Sequence, residues 1–121
     1  SVEGKTVALW GLTFKAGTDD LRDSPAIDVA NRLIAAGARV QAYDPTVRGE
    51  IAGLDICADA YAACEGAVVL VLGTEWDEFR WLDFNKVQEA MAVAAIMDAR
   101  NLLEPARLRH RGFAYEGIGV V

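Results

Sequence analysis

The chain has 121 residues, of which 53 % are hydrophobic, and its formal net charge is −6. This length suits one domain with a single core and is too short for a multidomain enzyme, so we expect a piece of a longer protein. The acidic balance argues against a nucleic-acid-binding surface, which would need clustered basic residues. The sequence has no targeting segment and no apolar run long enough to span a bilayer, so we expect a cytoplasmic protein without membrane contact.

Apolar runs of strand length alternate with helical patterns along the whole chain. Strands are expected at 6–10, 39–43, 67–73, 94–98 and 113–116, with a short additional strand left open at 54–57. Helices are expected between the Ser24 cap and Gly37 and at 59–64, 84–91 and 104–110. The runs at 67–72 and 93–97 show no polar alternation, which is typical of strands covered on both faces. The pattern predicts an α/β, Rossmann-like three-layer domain with a mostly parallel sheet of about five or six strands.

The segment between the first strand and the first helix is the strongest candidate for a ligand site. Ser24 supplies an oxygen to cap the helix and Pro25 suits its first position, so residues 11–23 form a loop at the carboxyl end of a strand. That loop faces a positive helix terminus, where anions bind. Lys15 and Arg22 add positive charge and Phe14 adds a flat apolar face, so we expect a ligand that combines phosphate with a base.

Other familiar site types are absent from the sequence. Gly11 is not followed by the further glycines of the G-x-G-x-x-G dinucleotide fingerprint. Asp44 ends the second strand, where it could hold a ribose, but the following Pro45 favours a turn-forming role. Cys57 and Cys64 lie in apolar surroundings in a chain with a single histidine, so we expect reduced thiols lining the core and no metal site.

The loop Gly-Leu-Thr-Phe-Lys-Ala-Gly-Thr-Asp-Asp-Leu-Arg-Asp-Ser-Pro, from Gly11 to Pro25, resembles the opening loop of a known domain. That domain is the C-terminal, nucleotide-sugar-binding domain of the UDP-glucose/GDP-mannose dehydrogenase family. Ala-Tyr-Asp-Pro at 42–45, Thr-Glu-Trp-Asp-Glu-Phe at 74–79 and Asp-Ala-Arg-Asn at 98–101 follow in that family's order and approximate spacing. The resemblance covers nearly the whole chain and implies that residues 1–121 form one UDP-binding domain of a longer dehydrogenase.

The resemblance also implies roles for five residues. Phe14 would lie against the base, and Lys15 would point toward the sugar and diphosphate. Arg100 would contact the nucleotide sugar from the end of the 94–98 strand, and Asp98 would hold this arginine in place. Arg22 would contact the NAD that is bound mainly by the N-terminal domain. None of these residues would be catalytic.

Each assignment has a plain structural alternative. Lys15 could be a solvated surface lysine and Phe14 a core residue at the sheet edge. Arg100 could pair with an acid, Asp98 or Glu104, and Arg22 could do the same with Asp19, Asp20 or Asp23. For Trp76 and Phe79, which follow the 67–73 strand, ligand contact and packing are equally open.

The implied activity of the full-length enzyme is NAD-dependent oxidation of UDP-glucose to UDP-glucuronate by two hydride transfers. The family's catalytic cysteine and glycine-rich NAD loop belong to the N-terminal and central domains, so we expect this fragment to be inactive alone. The full-length protein is expected to be a homo-oligomer. A GDP-mannose or UDP-N-acetylhexosamine substrate remains an alternative, as do a stand-alone nucleotide-binding regulatory module and an interaction domain that binds no nucleotide.

Overall fold

Strands and helices alternate through the protein, whose structure, a computed structural model, describes residues 2–13, 17, 20–22, 24–100 and 102–117. The strands are β1 (Thr6–Trp10), β2 (Arg39–Tyr43), β3 (Leu54–Ile56), β4 (Val69–Leu72), β5 (Ala95–Asp98) and β6 (Ala114–Gly117). The helices are α1 (Pro25–Ala35), α2 (Ala60–Cys64), α3 (Phe84–Ala90) and α4 (Pro105–His110), and Asp77–Trp81 form a 3-10 helix. Every predicted strand and helix is confirmed, and β3 corresponds to the short additional strand at 54–57. Among the elements of the described residues, only the 3-10 helix has no predicted counterpart.

The strands form one sheet in the order β3-β2-β1-β4-β5-β6. All neighbouring pairs are parallel, so the sheet is wholly parallel and the predicted Rossmann-like α/β fold is confirmed. The chain runs outward from β1 in one direction and from β4 in the other. In sheets of this kind, a crevice for ligands opens at the carboxyl ends of the strands, where the order reverses.

Two apolar cores lie on the two faces of the sheet, as expected for three layers. Ala8 and Trp10 of β1 face the core that contains buried residues of α2, α3 and α4. Val7 and Leu9 face the opposite core, against which α1 packs. The alternation follows from the period of two along a strand.

The expectation that the run at 93–97 is covered on both faces of the sheet is wrong. The side chains of Val93 and Met97 are 51 % and 48 % exposed, so the run at 93–97 is not covered on both faces. The reason is the distribution of helices among the described residues. Helices α2, α3 and α4 share the face of Trp10, and α1 packs over β1 and β2 on the other face, which leaves that side of β5 open. No helix in the described parts of the chain is both long enough and apolar enough to cross a membrane.

Helix α1 begins and ends where the sequence predicts. The Ser24 hydroxyl accepts the Ile27 N–H at 3.4 Å, and Pro25 is the first helical residue. Past the C-terminal cap at Ala36, Gly37 has φ +94°, a left-handed conformation that glycine adopts without strain.

The backbone after β4 packs too closely against its surroundings to admit a side chain. A Cβ added at Gly73 would lie 2.6 Å from the Ala26 Cβ and 2.7 Å from the Gly11 carbonyl oxygen. We therefore expect Gly73→Ala to lower the free energy of unfolding by about 1–3 kcal/mol, measured by urea denaturation. The control is Gly49→Ala, where an added Cβ would meet no described atom within 4 Å apart from those of the adjoining residues, and the change should stay within about 0.5 kcal/mol. Equal effects of the two substitutions would contradict the close packing.

Candidate functional site

The carboxyl ends of β1, β4 and β5 carry the residues that the sequence singles out. Gly11, Leu12 and Thr13 follow β1, residues 73–76 follow β4, and Arg100 comes shortly after β5. Because the strands are parallel neighbours, these segments meet at one edge of the sheet.

The carboxylate of Asp44, which has no exposed surface, fixes the start of the loop after β1. Its Oδ2 accepts the Leu12 N–H at 2.7 Å, the Thr13 N–H at 3.3 Å and the Trp76 Nε1–H at 3.3 Å. Its Oδ1 accepts the N–H and the hydroxyl of Thr46 at 2.9 and 2.8 Å. The predicted turn-forming role of Asp44 is confirmed. A buried carboxylate needs such donors, and here they also join the segments after β1, β2 and β4.

The N-terminus of α1 is tied to the same loop. The Ser24 hydroxyl, which caps α1, donates to the Leu12 carbonyl oxygen at 2.6 Å. The Thr74 hydroxyl donates to the Thr13 carbonyl oxygen at 2.9 Å and so links the segment after β4 to this loop. The positive end of an eleven-residue helix therefore lies beside the carboxyl end of β1, the arrangement that favours an anionic ligand.

Two of the predicted ligand residues, Phe14 and Lys15, lie outside the described residues, and so do Asp19, Asp23 and Asn101. The roles of Phe14 and Lys15 stay predictions. The structure fixes their starting point, because they follow directly on Thr13, whose N–H is bonded to Asp44.

Arg100 lies at the predicted edge, but its charged partner differs from those considered from the sequence. Its guanidinium donates to Glu75 Oε1 at 3.2 Å, which joins the segments after β5 and β4. The arginine side chain is 28 % exposed, so part of it is accessible to solvent. Asp98 accepts the backbone N–H of Arg100 at 3.1 Å rather than its guanidinium. The alternative pairing with Asp98 or Glu104 is therefore wrong, and Glu75 is the partner.

Asp98 itself is fully buried and bonded to a residue that the sequence did not single out. Its Oδ2 accepts the Leu103 N–H at 2.7 Å and the Tyr115 hydroxyl at 2.6 Å. Burial, together with the hydrogen bond to Asp98 and the charge of that carboxylate, raises the pKa of Tyr115, so its hydroxyl remains a donor at neutral pH. Tyr115 belongs to β6, and the only signal for it in the sequence is a tyrosine in an apolar strand.

Arg22 is paired within its own loop. Its guanidinium donates to Asp20 through Nε at 3.1 Å and through the terminal nitrogen at 3.0 Å, while 88 % of the side chain is exposed. Hydrogen bonds from Arg22 hold the pKa of the Asp20 carboxyl below its usual range. The salt bridge considered from the sequence is therefore formed, with Asp20 as the partner. Contact between Arg22 and a cofactor stays a prediction.

The structure separates the two aromatic residues after β4. Phe79 has no exposed surface and its ring centroid lies 5.3 Å from that of Trp10, so Phe79 belongs to the core. Trp76 is half-buried at the edge of that core and donates to Asp44. Packing is the role that these contacts show for both residues.

The two cysteines are free thiols, as expected. Cys64 is buried in the core beside Trp10, and burial raises its pKa to about 12. Burial also raises the pKa of Cys57. Both thiols are therefore protonated at neutral pH, a form in which cysteine is a poor nucleophile.

A parallel sheet whose order reverses beside β1, with a helix N-terminus and an arginine at the same edge, defines a Rossmann-like ligand-binding domain. A family model described as "UDP-glucose/GDP-mannose dehydrogenase family, UDP binding domain" matches residues 8–105. The chain belongs to this family and contains its UDP-binding domain.

Known relatives agree with this family. The UDP-glucose 6-dehydrogenase of Pseudomonas aeruginosa is 45 % identical over 97 % of this chain. The solved structure of an NDP-N-acetyl-D-galactosaminuronic acid dehydrogenase from Methanosarcina mazei is 29 % identical over 98 % of the chain, with a TM-score of 0.87. That of a UDP-glucose dehydrogenase from Pyrobaculum islandicum is 26 % identical over 99 %, with a TM-score of 0.77. The chain spans only 28 %, 25 % and 26 % of these three proteins, respectively.

Proposed function

We propose that this chain is the C-terminal domain of a longer NAD-dependent dehydrogenase and forms the nucleotide-sugar half of its active site. UDP-glucose is the proposed substrate, oxidised to UDP-glucuronate by two hydride transfers. The observation that carries the proposal is the position of Arg100, at the edge where the loop after β1 and the N-terminus of α1 meet.

The charges and dipoles at this edge suit a diphosphate. An arginine can donate two hydrogen bonds to phosphate oxygens at once, and a helix N-terminus favours negative charge. On binding, the diphosphate would take the place of the Glu75 carboxylate at the guanidinium of Arg100. Lys15 would supply a second positive charge, and Phe14 would supply a flat surface for the base. These four elements together match the pyrophosphate and the pyrimidine of a UDP-sugar.

The oxidation chemistry would be supplied by the rest of the longer enzyme. We propose that NAD binds mainly to its N-terminal domain and that Arg22, exposed at the rim, contacts that cofactor. The catalytic cysteine would also lie outside this chain, since Cys64 is buried in the core and burial raises the pKa of both thiols. The chain alone would then have no dehydrogenase activity. The longer enzyme would be a homo-oligomer in the cytoplasm. Two free thiols agree with a cytoplasmic location.

Calorimetric titration of the chain with UDP and GDP tests this proposal. We expect UDP to bind more tightly than GDP, and more tightly at low salt than at moderate salt because the attraction is between charges. Arg100→Ala and Lys15→Ala should each weaken UDP binding by about tenfold or more, since a hydrogen bond to a charged group contributes about 1.5–3 kcal/mol.

The matched control is Arg39→Ala, which removes the same charge at the first residue of β2. Arg39 therefore lies at the amino ends of the strands, away from the proposed site. It should leave UDP binding unchanged. The proposal fails if the chain does not bind UDP, or if Arg100→Ala binds UDP as the unaltered chain does.

A further inference from the structure

The carboxylate of Asp98 is the point at which the segment after β5 is attached to the sheet. The side chain has no exposed surface, and three hydrogen bonds reach it. Oδ1 accepts the backbone N–H of Arg100 at 3.1 Å, and Oδ2 accepts the N–H of Leu103 at 2.7 Å. The third donor is the hydroxyl of Tyr115 on the neighbouring strand β6, at 2.6 Å, the shortest of the three. Asp98 therefore connects the backbone of Arg100 to a side chain of the next strand.

The hydroxyl of Tyr115 controls the orientation of this carboxylate. Tyr115 and Leu103 both donate to Oδ2, which fixes that oxygen and leaves Oδ1 directed at the Arg100 N–H. The same hydroxyl lies 3.3 Å from the Leu103 carbonyl oxygen, so it contacts Leu103 as well. Without the hydroxyl, Oδ2 would lose its shortest hydrogen bond in a place that water does not reach, and the carboxylate would turn toward other donors.

Tyr115 is also held in place by a residue of helix α4. The guanidinium of Arg109, at the end of α4, donates to the Tyr115 carbonyl oxygen at 3.0 Å and lies 5.8 Å from the ring centroid. The ring is 4 % exposed and belongs to the core that also contains Phe84 and Phe113. Phe84 and Phe113 fill parts of the same core without a hydroxyl, whereas the hydroxyl of Tyr115 is hydrogen-bonded to Asp98.

We infer that Tyr115 is a positioning residue for nucleotide-sugar binding. It acts through Asp98 to hold the backbone of Arg100 at the carboxyl ends of the strands, where the ligand would bind. The inference rests on the proposed function, because Arg100 is taken as the arginine that binds the diphosphate. Tyr115 makes no contact with the ligand in this scheme. Its contribution is to keep the guanidinium of Arg100 within reach of both Glu75 in the free domain and the diphosphate in the bound one.

Tyr115→Phe tests the inference, with two readouts on the chain. The first is hydrogen exchange of the Arg100 and Leu103 amides without ligand, which we expect to become at least several-fold faster. The second is the Kd for UDP by calorimetry, which we expect to rise about threefold to tenfold. In a double-mutant cycle, Tyr115→Phe should have little further effect on the Kd once Arg100 is alanine.

The matched control is Tyr61→Phe, which removes a hydroxyl that also bonds a backbone group, the Asp83 N–H at 2.8 Å, among the helices. It should change neither readout. Should Tyr115→Phe fail to fold, Asp98→Asn alters the same hydrogen bonds without changing side-chain size and must then produce both effects.

The two proposals fail in different ways. Unchanged exchange at Arg100 and an unchanged Kd in Tyr115→Phe, while Arg100→Ala weakens UDP binding, would overturn the inference and leave the proposed function intact. If instead Arg100→Ala binds UDP normally, the proposed function fails, and with it the role of Tyr115 in binding. A structural coupling alone would appear as faster exchange with an unchanged Kd, which also overturns the inference.

Discussion

Replacing Phe79 by alanine is expected to lower the free energy of unfolding by about 3–5 kcal/mol, the range for removing a large aromatic side chain from a core. Phe79 has no exposed surface, and its ring centroid lies 5.3 Å from that of Trp10 and 6.4 Å from that of Tyr43. The substitution would leave a cavity between the 3-10 helix and the side chains of Trp10 and Tyr43. Urea denaturation followed by circular dichroism measures the change.

Trp81→Ala is the control, because Trp81 lies on the same 3-10 helix but is 75 % exposed. Its loss should change stability by no more than about 0.5 kcal/mol. A larger loss of stability for Trp81→Ala than for Phe79→Ala would contradict the assignment of Phe79 to the core. Phe79→Ala should also leave the Kd for UDP unchanged at temperatures where the chain is folded, because Phe79 is buried in the core and has no exposed surface.

Asp44→Ala is expected to lower the free energy of unfolding by a similar amount, about 3–5 kcal/mol. The substitution removes the carboxylate that accepts the buried N–H groups of Leu12 and Thr13, and the loss of such a hydrogen bond costs about 1–3 kcal/mol. The Trp76 Nε1–H and the Thr46 N–H lose the same partner. Chemical denaturation measures this change.

Asp55→Ala provides the comparison for Asp44→Ala, since Asp55 is an exposed aspartate on the neighbouring strand β3. We expect it to change stability by no more than about 0.5 kcal/mol. Asp44→Ala should in addition weaken UDP binding, because the loop that leads to Phe14 and Lys15 loses its anchor. A variant that keeps both wild-type stability and wild-type affinity would show that Asp44 does not hold this loop.

Local signals in the sequence were sufficient for most of the fold. Ser24, Pro25 and Gly37 set the ends of α1 through capping and backbone preferences, which depend on neighbouring residues alone. The 3-10 helix was not predicted because five residues carry no clear period, and its position depends on Phe79 entering the core beside Trp10. The exposure of Met97 was missed because an apolar run does not show where the helices lie.

For the candidate site, the sequence predicts only the end of the sheet at which it lies. Parallel strands bring the residues after β1 and β5 to one side, so the location of Arg100 follows from the fold class. Its partner Glu75 does not follow, because that contact depends on the paths of two separate loops. The hydrogen bond of Tyr115 to Asp98 is not predictable from the sequence for a similar reason. Its bond to Asp98 requires the pairing of β5 with β6, and a tyrosine in a strand is most simply interpreted as core.

The position of β1 has a consequence for the cooperativity of the molecule. This strand pairs with β2 on one side and β4 on the other, and its side chains alternate between the two cores. Detaching β1 would break two ladders and disrupt both cores at once, so it can separate only when the whole domain unfolds. The segment that begins at Gly11 is thus attached to the strand that is least able to separate from the rest of the fold, so its starting point stays fixed for as long as the domain is folded.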